Sequence, residues 1–575
     1  MRPLHQAKQF ALTRSSILML GLFLLTSCNA PVVQPTSTAT LPASAAVSPT
    51  AAATSTPTAI PTPVVEPSAT PAPPTLYIAP YLPVELRAGI AVSAAIQQAE
   101  NDATATYWLG VGSHTSTPIG HWIYALVAPF PTITEEVSFS DLAQAWAGNP
   151  ESPLAGQTLL MDQATLDLFT AWMAGPVEGL VRTLPADQIL DEAWSSSAWA
   201  IIPFEAIEPR WKVITVDGQS PLHADFDPLA YPLAVPILLL DELRQDMTSL
   251  PQGLSLPLSN RDPNRLTSVA LTGVTALVRG TAVWMERYGI TYPAEDVGPL
   301  LASADITHIS NEIPFTPECP FPVLQPSELV FCSSPSYIEL LDTLSPEVIE
   351  LTGDHFGDWG AEAMHYTLDL YTERNWPVYG GGANSEAARS PVLIEHNGNR
   401  IAFLGCNIGC QVKNEVPCDE YATPNLPGAA TCDFDWLETE IPRLRAEGYQ
   451  VVFTFQHKEY YSYQAQPDLV RDFGRVAAAG AAVVSGSQSH QPHGMAFENG
   501  AFIHYGLGNL FFDQYHYCAN FACDNGFIDW HIFYDGRYLG VELIPIHFID
   551  LARPRLMTPA ERAAFLELIF EASGW

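Results

Sequence analysis

The chain has 575 residues, with 25 Lys and Arg against 62 Asp and Glu, giving a formal net charge of −37. That balance excludes nucleic acid as a partner, since such binding draws its affinity from cations that neutralise phosphates; an anionic lipid surface would repel the chain too. At 47% hydrophobic the sequence can bury sizeable cores, while its 50 prolines must be concentrated somewhere.

Arg2, Lys8 and Arg14 precede an apolar run at residues 17–25 that is too short to span a bilayer, the pattern of an export signal. The run ends in Leu25-Thr26-Ser27-Cys28, which resembles the lipobox of bacterial lipoproteins and implies lipidation of Cys28 at the end of a leader over residues 1–28. Residues 29–75 are almost entirely Pro, Thr, Ser, Ala and Val. They cannot bury enough apolar surface to offset ordering and read as an extended, disordered stalk. The expected location is the outer face of a cell membrane, with the membrane itself a partner through the lipid. Beyond Cys28 lie Cys319, Cys332, Cys406, Cys410, Cys418, Cys432, Cys518 and Cys523. An even number in an exported chain predicts disulfides, with Cys319–Cys332 and Cys518–Cys523 as local staples. A zinc site on Cys406, Cys410, Cys418 and Cys432 is the weaker alternative, because their spacing lacks the paired C-x2-C pattern.

A first α/β domain is expected over residues 76–250, with buried strands at 122–128 and 198–204 and a helix near 164–173. Segments 127–130, 202–205 and 231–233 resemble parts of a periplasmic solute-binding domain, although no residue there earns a ligand role. Residues 251–265, rich in Pro, Gly and Asn, predict a linker. A second domain follows over residues 266–550, with strands at 269–272, 348–351, 401–404, 451–455, 482–484 and 502–505. Leu469, Phe473 and Val476 give the helix over 467–479 one apolar face. Residues 551–575 close the chain with a helix opened by Thr558-Pro559-Ala560-Glu561, a capping box with proline at the first helical position.

In α/β sheets ligands gather at the carboxyl ends of strands. Polar residues fall there repeatedly: Asn311 and Glu312; Asp354, His355 and Asp358; Gln456, His457, Lys458 and Glu459; Gln488, His490 and His493. Carboxylate, imidazole and amide groups from four strand ends suit one divalent cation, Zn, Mn or Mg.

The order of these pieces resembles the CapA family of capsule and poly-gamma-glutamate biosynthesis proteins, carried on residues 354–360, 381–398, 486–494 and the segment Tyr505-Gly506-Leu507-Gly508-Asn509-Leu510-Phe511. The resemblance implies a calcineurin-like metallophosphatase fold, a four-layer α/β/β/α sandwich. It also implies that Glu312, Asn311, Asp354, Gln456, Gln488 and His490 are metal ligands, that His355 and Asp354 are catalytic, and that His457, His493 and Asn509 line a substrate pocket. The sequence departs from the pattern where it matters. Val274 stands where the family places a metal-binding aspartate, and Gln456 and Gln488 replace histidines. An isopropyl group cannot ligate a cation and amides hold zinc-like ions weakly, so a two-metal centre is not expected. The site holds one divalent ion or none, and the chain either trims an extracellular polymer or glycan or binds it without cleavage. Arg279 and Lys458 are candidates to screen an acidic polymer from the chain's own charge. Asp358 is expected to cap the helix that follows it, and Asp513 to cap or turn beside the pocket. The other class of function is a ligand-binding receptor lipoprotein whose second domain is structural.

Overall fold

The computed structural model describes residues 72–112, 116–408, 420–514, 518 and 523–575. The predicted leader, the Cys28 lipidation site and most of the stalk lie outside these residues, as do Cys410 and Cys418. The chain divides into Met1–Thr70 and Pro71–Trp575, and everything below concerns the second unit.

The amino-terminal part is a mixed sheet. Its central strand, Gly120–Pro129, pairs antiparallel with Ala234–Leu240, Trp199–Pro203 and Trp211–Val216. Helices Gln163–Met173 and Ile189–Ser196 carry buried Leu168, Phe169, Ile189 and Ala193. Residues 251–265, expected as a linker, pack onto this sheet. Asn260 engages both the N–H and the carbonyl of Ile123, at 2.7 and 2.9 Å. Arg261 is buried and donates to the carbonyls of Pro221 and His223.

The remainder is two sheets face to face between two helical layers, as the family resemblance implies. In one sheet Leu266–Thr272 lies parallel to Ile306–Asn311 and antiparallel to Asn525–Tyr534; Ile306–Asn311 in turn runs parallel to Val348–Glu350. In the other, Asn399–Asn407, Gln450–Gln456, Val483–Ser485 and Ala501–His504 run parallel to one another. Strand alternation builds the layers. Val269 and Leu271 meet Phe403, Val452 and Val483 in the core between the sheets. Ala270 faces the helices that carry Met285, Met364 and Tyr371, and Phe453 faces those carrying Leu437, Ile441 and Phe473. The helices Pro467–Ala479 and Pro559–Ala572 form where the sequence places them, the second with its Thr558–Glu561 capping box intact. Cys319–Cys332 and Cys518–Cys523 are joined as expected. Cys406 pairs with Cys432, which removes two sulfurs from the zinc alternative.

The sheet–sheet core holds titratable groups with no exposure: His308, Glu350, His504, Asp529 and His531. Nδ1 of His308 accepts from the Thr272 N–H, so its proton sits on Nε2, toward the Tyr379 hydroxyl at 2.9 Å and Glu350 at 3.2 Å. Burial would raise Glu350, but hydrogen bonds from His308, Ser487 and Thr454 outweigh it and hold the carboxyl below its ordinary range. Burial pushes His531 down to about 4 against the pull of Asp529, with His504 and His308 lowering it further. An unfolded histidine titrates near 6.5, so below that pH the unfolded chain takes up a proton the folded one refuses. Stability is therefore expected to fall as pH drops from about 6.5 toward 4, by ~3 kcal/mol for His531 alone. Urea midpoints across this window should fall more steeply for the native chain than for His531→Gln; parallel profiles would contradict the assignment.

Candidate active site

Four strand ends deliver the site. The strand Ile306–Asn311 runs into Glu312, whose N–H donates to the Thr275 carbonyl at 3.0 Å. After Val348–Glu350 the chain passes through Gly353, where an added Cβ would lie 2.5 Å from the Glu312 carbonyl oxygen. Only glycine permits that approach, and it sets Asp354 and His355 beside Glu312. The strand Gln450–Gln456 ends in Gln456, whose amide donates to Asp354 Oδ1 at 2.9 Å. Beyond Val483–Ser485 come buried Gln488 and His490.

The charges are interlocked. Glu312 is 1% exposed, and both of its carboxyl oxygens are buried without a hydrogen-bond partner. Burial pushes it up to about 8, against the opposing pull of His490, with Asp354 raising it further and His355 lowering it. His355 donates from Nδ1 to Asp358 at 2.8 Å and rests against the Phe331 ring at 4.6 Å. Burial would lower His355, but Asp358, Asp354 and Glu312 together raise it to about 9. His490 faces Asn509 Oδ1 through Nδ1 at 2.9 Å and Glu459 Oε1 through Nε2 at 3.1 Å. The Asn509 amide N–H donates to the His490 carbonyl, which fixes its orientation. Both nitrogens of His490 therefore donate. Burial again opposes the charge, but Glu459 and Glu312 lift His490 to about 9, while His490 draws Glu459 down to about 2.

Glu312, Asp354, His355 and His490 are thus brought together, and several expectations change in detail. His490, expected among the metal ligands, has both ring nitrogens facing acceptors in the metal-free chain, Asn509 and Glu459. Asp358 does not cap: the helix Gly360–Glu373 has no side-chain cap, and Asp358 instead orients His355 and accepts from the Phe331 N–H at 2.7 Å. Asn509 holds His490. His457 engages Asp472 at 3.1 Å, and His493 is buried against the Ser462 carbonyl. Asp513 accepts from the Gly280 N–H at the start of the helix Arg279–Tyr288. Arg279 is not a solvent-facing screen; it is 2% exposed and paired with Asp513 at 3.0 Å. Lys458 pairs with Asp468 at 3.2 Å. Glu459 was not singled out as a site residue; it lies three positions past its strand, with no local signal that it would reach His490.

Val274 is fully buried in an apolar cluster with Ile313, Phe331 and Phe512, so the position of the missing aspartate is filled by packing. Among the described residues, no three His, Cys, Asp or Glu side chains are grouped to hold a metal. Oxygen atoms are nevertheless left without partners here: Glu312 Oε1 and Oε2, Asn311 Oδ1, Gln456 Oε1 and Gln488 Oε1. A carboxylate with amide oxygens fits a hard cation of the Mg or Mn kind and does not fit a zinc centre built on imidazole or thiolate.

The family described as bacterial capsule synthesis protein PGA_cap matches residues 261–514, the stretch that supplies all four strand ends. This stretch, a little under half of the chain, is similar to that capsule synthesis family. Over 309 residues, 53% of the chain and 72% of the relative, it is 22% identical to the capsule biosynthesis protein CapA of Bacillus anthracis. Over 182 residues it is 27% identical to the PGA biosynthesis protein CapA of Bacillus subtilis (strain 168), covering 31% of this chain and 45% of that one. Among solved structures, an ABC-type phosphate transport receptor from Vibrio cholerae aligns with a TM-score of 0.20 at 13% identity, over 24% of this chain and 66% of the receptor. That partial superposition carries no argument about fold or ligand. In the matched stretch the two-sheet scaffold is present, with Val274 packed into an apolar cluster and Asp354 held by Gln456 beside Glu312.

Proposed function

We propose that the chain acts in the biosynthesis of a capsule or poly-gamma-glutamate-type polymer outside the cytoplasm, held at the membrane by a lipid on Cys28. Its CapA-like site would bind the polymer through one hard divalent cation. The likeness to the two CapA proteins supports the polymer class. The joined cysteines support an oxidising, extracytoplasmic compartment. No helix among the described residues is long and apolar enough to cross a membrane.

The observation that carries the reading is Glu312, a buried carboxyl with both oxygens unsatisfied, where an unmade hydrogen bond is costly. Glu312, Asn311, Gln456 and Gln488 would hold the cation, which would supply positive charge to a polymer oxygen. His355, fixed by Asp358 and partly exposed, presents a second N–H toward an incoming anion. His490 is spent internally on Glu459 and Asn509. This local arrangement answers the charge conflict: a chain of net charge −37 can receive an acidic polymer where a bound cation and the His355 imidazolium face it. With Val274 in place of a carboxylate, nothing here builds the second metal that would clamp both sides of a displacement, so retention of polymer is favoured over its cleavage.

Binding of soluble poly-gamma-glutamate to the full chain should require Mn or Mg, vanish with EDTA, and weaken at least tenfold in His355→Ala. Equal binding with and without cation, or preference for a neutral glycan, would sink the reading.

A further inference from the structure

Away from Glu312, a cavity of 290 Å³ opens where the strand Trp211–Val216 of the first sheet meets the strand Arg537–Phe548 and the helix Pro559–Ala572. Trp211, Leu543, Leu566 and Phe570 supply apolar wall. Protein interiors leave few voids larger than a water molecule, and an apolar cavity of about 150 Å³ already takes up benzene. This one approaches the size of small-molecule sites, roughly 300–1,000 Å³.

One end of it is charged. Lys212 Nζ and Arg562 Nη1 both rest on the same oxygen of Glu135, Arg562 at 2.5 Å, and Lys212 also donates to the Thr132 carbonyl at 2.6 Å. The cations are set into the wall, with side chains 14% and 17% exposed, whereas Glu135 is 50% exposed. Both buried cations thus rest on one carboxylate that is itself half exposed and can be exchanged for another. Glu542, paired with His223 at 3.0 Å, adds a weaker pull on Lys212. Burial pushes Lys212 down to about 8 despite Glu135 and Glu542, so a buried anion set against it in exchange for the half-exposed Glu135 would be favoured. Apolar walls ending in a buried Lys–Arg pair match an apolar chain that ends in a carboxylate.

We propose that the cavity binds a monocarboxylate amphiphile of the fatty-acid type. Its chain lies among Trp211, Leu543, Leu566 and Phe570, and its carboxylate sits between Lys212 and Arg562, where it displaces Glu135 toward solvent. The ligand would span the seam between the first sheet and the CapA-like domain, and nothing in this assignment depends on the Glu312 site.

Titrating the delipidated full chain with decanoate, below micelle-forming concentration, is expected to show one saturable site. Arg562→Gln should weaken decanoate at least tenfold while leaving uncharged decanol unchanged. Leu566→Trp should fill the void and abolish both. Preference for decyltrimethylammonium over decanoate, only weak unsaturable uptake, or decanoate binding unaffected by Arg562→Gln would overturn the proposal. Should Leu566→Trp fail to fold by circular dichroism, the Arg562→Gln comparison of decanoate with decanol decides it alone.

Discussion

Arg279→Met is expected to lower the unfolding free energy by about 3–5 kcal/mol, the range for breaking a buried ion pair on one side. Arg279 and Asp513 are 2% and 1% exposed. Asp513 accepts from Arg279 Nε at 3.0 Å and from the Gly280 N–H at 2.9 Å, and Arg279 Nη2 donates to Gln514 at 2.8 Å. The guanidinium also lies 4.3 Å over the Phe512 ring, and Phe512 in turn packs against His490 at 5.0 Å. Removing the arginine takes away the guanidinium that faces the buried Asp513 charge, and desolvation of such a group dominates the loss. The double variant Arg279→Met with Asp513→Leu should recover part of it, since no uncompensated charge then remains. Urea unfolding of the native chain and both variants checks this, and a loss below ~1 kcal/mol in Arg279→Met, the range of an exposed pair, would contradict it.

Glu312→Gln is expected to act in opposite directions on stability and on binding. In the cation-free chain the carboxyl has two buried oxygens without partners, and removing an unsatisfied ionisable group should raise stability by roughly 1–3 kcal/mol. The same change removes the one acidic side chain in the proposed ligand set. Saturating Mn should therefore stabilise the native chain and leave Glu312→Gln unmoved, because a ligand raises stability only through the state that binds it. A site kept at a cost to stability is the usual mark of function. Thermal melts of both proteins, with and without Mn, read the two effects together. A variant less stable than the native chain in EDTA would refute the first half, and equal Mn shifts would refute the second.

Much of this architecture was legible in local patterns. The i, i+4, i+7 spacing of Leu469, Phe473 and Val476 and the Thr558 capping box each fix an element within one or two turns of chain, and both helices form where expected. The strands were readable from apolar runs for the same reason. At the site, residue types at strand ends were informative because the sheet itself sets where strand ends point. What escaped was pairing across the fold. Arg279 and Asp513 are 234 positions apart, and nothing near Arg279 signals that it is buried. Asp358 looks like a helix cap by position, yet the helix opens without one and His355, three residues back, claims the carboxylate. Glu459 is another case: its role depends on where the segment after Gln456 turns, and that is set by contacts with His490. Residues 251–265 misled in a different way. Their Pro, Gly and Asn content describes an irregular backbone, not an unattached one, and Asn260 and Arg261 fasten it to the first sheet.

The proposed cation site also bears on how the −37 chain handles its own charge. Arg279 and Lys458 are both committed to carboxylates, so in the proposed reading the screening of an acidic polymer is assigned to His355 and a bound cation. Isothermal titration of the full chain with Mn is the most direct test of this arrangement. It should give a single ion per chain, abolished by Glu312→Gln and retained in His355→Ala. Two ions per chain, or one that survives Glu312→Gln, would contradict it.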